Sequence, residues 1–242
     1  MNKDKLKEIF EKHYKSVGSY LCAKLLENKK KNVNNDLSFA PLPDWMRVIG
    51  TFVTTLNIRY GDYIEEIINL FLEENGAILL KNKEIINITS KELKKYDLFF
   101  ELNGIIYIGE IKIRDNHDST KKVGQINNLI AKVEKIKNNT NKKISAILFF
   151  LDSSIKKNKS FYEKELLKNI NIEEFSVLYG DEFFEKFKLS VEWNELKKLI
   201  ISYNDDIKNN NEIYEIAYRN LKEEEKEEFN KIKNILIKKK AE

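Results

Sequence analysis

The dipeptide Asn103–Gly104 constrains the fold more than any other feature of this sequence. It divides residues 96–113 into two runs that are rich in aromatic and β-branched side chains. An Asn-Gly pair in this setting is the strongest short-range signal of a β-hairpin with a two-residue type I′ turn. Such a turn fixes the register of the hairpin, beginning with Leu102 opposite Ile105 and continuing outward one pair at a time.

At the open end of the hairpin, this register places two carboxylates opposite each other. Asp97 faces Glu110, and Lys112 shares their face because alternate residues of a strand point the same way. Opposed carboxylates repel each other unless a divalent cation bridges them, and Mg²⁺ prefers a few carboxylate oxygens together with waters. Such an ion acidifies a bound water and neutralises charge on a phosphate, while a lysine alongside can orient or deprotonate the water.

The two faces of the predicted hairpin differ in composition. Beside the charges, one face carries Phe99, Ile106 and Ile108, which a solvent-exposed face would not carry. The alternative interpretation is a surface hairpin whose alternate residues happen to be charged. The other face is predicted to be buried core, and its residues are Tyr96, Leu98, Phe100, Leu102, Ile105, Tyr107, Ile111 and Ile113.

The rest of the chain alternates between helical and strand patterns. Apolar spacing predicts a first helix over 3–28, a second that begins near 43 or 44, and a third over 62–75 with Asp62 as its N-cap. Further helices are predicted over 119–137, 161–170, 181–187 and much of 190–242. β-Branched runs predict further strands, which are 77–80, 84–88, 175–180 and, buried on both faces, 143–151. These elements predict one α/β domain over 1–242, with helical additions at 1–60 and 190–242.

Composition excludes several classes of site. With one cysteine, Cys22, and two histidines, His13 and His117, the chain has no intramolecular disulfide, no Cys-based zinc cluster and no His-rich metal site. His117 is interpreted as a loop residue without a catalytic role. The net charge of +4 says little about partners. No apolar signal region is present, and no run approaches the about 18 apolar residues of a membrane span, so a cytoplasmic protein without membrane contact is expected.

Asp97 and Glu110–Ile111–Lys112, on the two strands of one hairpin, resemble the signature of the PD-(D/E)xK nuclease superfamily. The resemblance implies that the acids bind Mg²⁺ and that the lysine assists the water that attacks a phosphodiester. It also implies a restriction-endonuclease-like catalytic core, a central mixed β-sheet flanked by helices in the order αβββαβ, which the predicted elements follow over about 62–151. The proline position of the signature is Tyr96 here, a substitution that such families commonly show.

The same resemblance implies further positions. The stretch "GDYIEEIINLF" is similar to a Gly-x-x-x-Glu helix opening and points to Glu65 as a metal or water ligand, with Glu66 or a merely solvated charge as the alternatives. The Ile111 carbonyl is a candidate extra metal ligand. Candidates for DNA contacts lie on the helix after the motif, where exposed, solvated side chains are the alternative; they are Lys121, Lys122 and Gln125.

The leading hypothesis is a Mg²⁺-dependent DNA endonuclease, similar to the type II enzymes of bacterial restriction–modification systems. Asp97 and Glu110 would hold the metal, and Lys112 would act on the water. Relatives that cut palindromic sequences work as homodimers, so a homodimer around double-stranded DNA is expected. Two alternatives use the same fold: a structure-specific repair or recombination nuclease, and a nucleic-acid-binding module without catalytic activity.

Overall fold

A computed structural model of the protein describes residues 1–30, 44–80, 96–116, 118–169, 174–210 and 212–238. The predicted strand 84–88 and His117 lie outside these residues. The chain groups into two compact units, Met1–Ile64 with Lys197–Glu242, and Glu65–Leu196. The prediction of one nuclease domain over 1–242 stays a prediction.

The secondary structure has the following bounds. The helices are α1 (Lys3–Tyr14), α2 (Val17–Lys30), α3 (Asp44–Glu74), α4 (Ser119–Lys137), α5 (Lys159–Asn169), α6 (Glu182–Lys186), α7 (Ser190–Asn210), α8 (Glu212–Arg219) and α9 (Glu223–Lys238). The strands are β1 (Ile78–Leu79), β2 (Leu98–Leu102), β3 (Ile105–Lys112), β4 (Lys143–Phe150) and β5 (Glu174–Tyr179).

The described part of the first unit is helical, and aromatic side chains form its core. The Phe10 ring stacks on Tyr14 at 4.0 Å and meets the rings of Tyr63 and Tyr203 edge-on. The helix predicted over 3–28 is wrong in one respect, because α1 ends at Tyr14 and a short turn separates it from α2. Apolar spacing alone did not reveal this turn, since the residues on both sides of it are buried with the same period.

Helix α3 is continuous where the sequence predicted two helices. Asp62 was predicted to cap the second of these, but it lies inside α3 and pairs with Arg59, one turn earlier, at 3.1 Å. Gly61 does not end the helix, because a single glycine inside a helix costs only about 1 kcal/mol relative to alanine.

The second unit contains a five-stranded sheet in the order β1-β2-β3-β4-β5. β1, β2 and β3 are antiparallel neighbours, whereas β3, β4 and β5 run parallel to one another and are connected through α4 and α5. The predicted hairpin register is confirmed, from Leu102 opposite Ile105 to Leu98 opposite Gly109. The mixed sheet with flanking helices confirms the predicted α/β class and the order αβββαβ.

Both faces of this sheet are covered. On one face, α4 and α5 pack over apolar residues of β2 to β5, among them Phe99, Ile106 and Ile108. On the other, Phe149 of β4 stacks on Phe183 of α6 at 4.4 Å. β4 is therefore buried on both sides, as predicted. The predicted face of Tyr96 is wrong: it stacks on Phe99 at 5.0 Å on the α4 side, because it precedes β2 and does not follow the alternation of the strand.

Candidate active site

The Asn103–Gly104 turn sets the geometry of the candidate site. Both residues have positive φ angles, 52° and 78°, the combination that a type I′ turn requires. The outermost pair of the β2–β3 ladder joins Leu98 to Gly109. The next residue outward is a carboxylate on both sides: Asp97 directly precedes β2, and Glu110 lies on β3. The turn therefore brings both acids to the open end of the hairpin, where the sequence placed them.

Three oxygen atoms at this end converge on one cation. The Lys112 ammonium donates hydrogen bonds to Asp97 Oδ2 at 3.1 Å, to Glu110 Oε2 at 2.9 Å and to the Ile111 carbonyl at 3.0 Å. The Ile111 N–H also donates to Asp97 Oδ2, at 2.9 Å. The structure thus brings together the residues of the predicted signature, because both carboxylates bind the same ammonium.

The burial of these charges strengthens their interaction. The Glu110 side chain is only 5% exposed, whereas Asp97 and Lys112 are partly open to solvent. Burial lowers the pKa of the Lys112 ammonium, but the carboxylates of Asp97 and Glu110 raise it by more, so this pKa lies above its ordinary value. Lys112 is therefore a cation in the metal-free protein and donates hydrogen bonds.

Helix α4 adds two polar residues that the sequence analysis missed. The ammonium of Lys132 contacts Glu110 Oε1, and the Asn128 amide donates to the same oxygen at 3.3 Å. A signal for both exists in the sequence: they follow Gln125 by three and seven residues, so the three occupy one stripe of α4. Their partner Glu110 was not evident, because the contact depends on how α4 packs on the sheet.

Helix α3 contacts the site through a residue that was also missed. The side-chain amide of Asn69 donates to the backbone carbonyls of Asp97 and Glu65, at 2.8 and 2.9 Å. Glu65 and Glu66 are both half-buried, so burial does not separate the two candidates. Among the described residues, no group of three or more His, Cys, Asp or Glu side chains is arranged to hold a metal ion. The role of Glu65 as a ligand stays a prediction.

The predicted DNA contacts lie near the start of α4. The Lys121 side chain is 71% exposed, and the Lys122 ammonium lies over the Phe161 ring, 4.3 Å from its centre. Gln125 accepts a hydrogen bond from the Tyr162 hydroxyl at 3.2 Å. These contacts connect Lys122 and Gln125 to α5.

A buried aspartate fixes the segment that follows Lys112. Asp115 is fully buried and accepts hydrogen bonds from the backbone N–H and side-chain amide of Asn158, at 2.7 and 2.8 Å, and from the Tyr179 hydroxyl at 2.9 Å. Burial, followed by this contact with Asp115, raises the pKa of the Tyr179 hydroxyl. These bonds join the segment after β3 to the one before α5, at the edge of the sheet where the parallel strands end. Asp115 was not among the residues that the sequence pattern singled out.

The donor atoms at the hairpin fit a hard divalent cation. Two carboxylate oxygens and one backbone carbonyl already surround a positive charge, that of Lys112. Mg²⁺ is typically held by one or two carboxylates, with waters as its other ligands. Asp97, Glu110 and the Ile111 carbonyl are therefore the residues that would hold such an ion.

Together, the mixed α/β sheet and the Asp–Glu–Lys constellation at the open end of its hairpin define a restriction-endonuclease-like protein of the PD-(D/E)xK class. A family model described as type II restriction endonuclease, HinfI, matches residues 77–204, more than half of the chain. The chain belongs to this HinfI family of type II restriction endonucleases. The match includes the hairpin, α4 and β4, and begins after Glu65. No curated protein matches the chain.

Within the part of the chain that the structure describes, no helix is both long enough and apolar enough to cross a bilayer. The cytoplasmic location and the homodimer stay predictions.

Proposed function

We propose that this protein is a Mg²⁺-dependent endonuclease that hydrolyses phosphodiester bonds of double-stranded DNA at a specific sequence. The observation that carries the proposal is the convergence of Asp97 Oδ2, Glu110 Oε2 and the Ile111 carbonyl on one cation. Membership of a family of type II restriction endonucleases supports the DNA substrate.

Each residue of the signature has a role in this proposal. Asp97 and Glu110 hold the ion, with the Ile111 carbonyl as a further ligand and Glu65 as a ligand of the metal or of its water. A bound Mg²⁺ would supply an acidified water and neutralise charge on the phosphate. Lys112, a cation beside both carboxylates, orients the water and stabilises the negative charge that develops on the phosphate oxygens.

The substrate defines the rest of the proposal. Cutting both strands of a palindromic site requires two copies of the catalytic residues related by two-fold symmetry, which a homodimer supplies. Lys121, Lys122 and Gln125 contact the DNA backbone. Such phosphate contacts contribute affinity that decreases with salt, and contacts to base edges contribute specificity.

A plasmid digest with Mg²⁺, and with EDTA in its place, tests this function. Discrete fragments that require Mg²⁺ are the expected result. A smear, or a preference for branched DNA, would instead indicate a structure-specific nuclease. Uncut DNA that is nevertheless retarded in a mobility-shift assay would indicate a binding module without catalytic activity.

Substitution of the carboxylates tests the site. Asp97→Ala should lower the cleavage rate by about 100-fold or more, because the ion loses a ligand, while DNA affinity measured without Mg²⁺ changes little. Glu101→Gln is the matched control, because Glu101 lies on the same hairpin but pairs with Lys142 at 2.7 Å. Cleavage by Asp97→Ala at the wild-type rate would show that the site is assigned incorrectly.

A further inference from the structure

Glu110 lies between two lysines from different elements of the fold. Lys112, on the same strand, donates to Oε2 at 2.9 Å, and Lys132, on α4, contacts Oε1. The Glu110 side chain is 5% exposed and that of Lys132 is 11% exposed, so this second pair is shielded from water. Charges in such a position interact strongly, and removing Lys132 takes away one of the two ammonium partners of Glu110.

The two lysines differ in the oxygen atom that each one holds. Oε2 is one of the three oxygens that converge on Lys112, the atoms that we propose as metal ligands. Oε1 is not among them, and Lys132 and Asn128 hold it from α4. A metal ion in place of the Lys112 ammonium would therefore leave the contact between Lys132 and Oε1 intact.

We infer that Lys132 is a positioning residue, whose charge keeps the Glu110 carboxylate in place inside the protein before a metal ion binds. This inference rests on the proposed function, because it takes Glu110 as a metal ligand. The hydrocarbon stem of Lys132 also packs, and its ammonium lies 5.3 Å from the centre of the Tyr96 ring. A test must therefore separate the charge of Lys132 from the packing of its stem.

Thermal unfolding of the full-length protein in EDTA and in excess Mg²⁺ separates the effect of the Lys132 charge from that of its packing. Lys132→Met keeps most of the stem and removes the charge. In EDTA its melting temperature should fall by roughly 5–15 °C, because Glu110 loses a partner in a buried ion pair. Excess Mg²⁺ should recover much of this loss by compensating the same carboxylate, so the Mg²⁺-induced rise should be larger than in the wild type.

Two further variants complete the comparison. Lys132→Arg keeps the charge and should melt closer to the wild type than Lys132→Met does, whereas the reverse order overturns the inference. Lys135→Met removes an exposed lysine from the same helix and should leave both the melting temperature and its response to Mg²⁺ unchanged. A loss in Lys132→Met that Mg²⁺ does not reduce would show a packing role and overturn the inference.

The combination of Lys132→Met with Glu110→Gln tests the charge without any metal. If Lys132 compensates Glu110, neutralising Glu110 should restore in EDTA most of the stability that Lys132→Met lost. This arm also applies if Lys132→Met alone does not fold. If the losses of stability in Lys132→Met and Glu110→Gln simply add in the double variant, the inference is overturned. If Mg²⁺ does not change the melting temperature of the wild type, the proposed function is contradicted. The comparison of the single and double variants in EDTA then tests the inference by itself.

Discussion

Asn69 holds the backbone of Asp97 through a hydrogen bond of 2.8 Å from its side-chain amide to the Asp97 carbonyl. The same amide bonds the Glu65 carbonyl, one helical turn earlier. The position of the first acid of the signature therefore depends on α3 as well as on the hairpin. Asn69, which lies outside the signature, therefore helps to position a proposed metal ligand.

Asn69→Leu should lower the cleavage rate about 10-fold, because outer residues that orient metal ligands typically contribute 10- to 100-fold. DNA affinity without Mg²⁺ should change much less. Cleavage kinetics and a mobility-shift assay measure the two effects. Asn75→Leu is the matched control, because Asn75, which directly follows α3, makes the same bond to the carbonyl four residues earlier, that of Phe71. Equal loss of cleavage in both variants would contradict the role of Asn69.

Asp115→Asn should destabilise the protein by about 2–4 kcal/mol. The substitution removes the charge from a fully buried carboxylate and places an amide donor where three donors from Asn158 and Tyr179 converge. Urea unfolding measures the loss. Asp152→Asn, in the neighbouring segment and partly exposed, should cost about 1 kcal/mol or less. A similar cost for both variants would show that the Asp115 contacts contribute little.

The Glu182 carboxylate should make the stability depend on pH. Burial raises the pKa of Glu182, but hydrogen bonds from Lys156 and from the Tyr179 N–H, together with the charge of Lys159, lower it by more, so it lies below its ordinary value of 4.5. A depressed carboxylate pKa stabilises the fold above the ordinary value, and this contribution is lost as the pH falls through the folded-state pKa.

The variant Glu182→Gln should therefore be less stable than the wild type near neutral pH, by about 1 kcal/mol or less because the group is partly exposed. The difference should vanish as the pH falls below 4.5. Urea unfolding at several pH values measures it, and Glu185→Gln, an exposed residue on the same helix, is the control. A difference that grows at low pH would contradict this assignment.

Replacing Lys121 and Lys122 together by glutamine should weaken DNA binding and reduce the slope of log affinity against log salt by about 2, one unit for each lost phosphate contact. The cleavage rate at saturating DNA should change little. Binding measured over a range of salt concentrations tests this. Lys135→Gln with Lys137→Gln, at the other end of α4, is the control. An unchanged slope would show that Lys121 and Lys122 do not contact phosphates.

The parts of the fold that local chemistry determines were predicted from the sequence. The Asn103–Gly104 turn has few backbone conformations available, and it fixed the register and hence the positions of Asp97 and Glu110. The uninterrupted apolar run of β4 likewise identified a strand buried on both faces. In each case, the residues that determine the local structure lie within one short stretch of chain.

The parts that depend on packing between distant segments were not predicted. Lys132 and Asn69 are ordinary helix residues until α4 and α3 pack beside the hairpin, so their contacts with Glu110 and Asp97 have no local signature. The continuity of α3 was not predicted, because α3 tolerates Gly61 in its interior, whereas glycine ends many other helices.

The hairpin register that brings Asp97 and Glu110 to one ammonium has a consequence for how sequences of this kind can change in length. Deleting one residue from a single arm of the hairpin would shift Asp97 by one position relative to Glu110, and a shift of one residue turns side chains to the opposite side of a sheet. Deleting one residue from each arm would keep the relative position of the two acids. Among natural variants with an intact site, we therefore expect insertions and deletions in the two arms to occur together and in equal number.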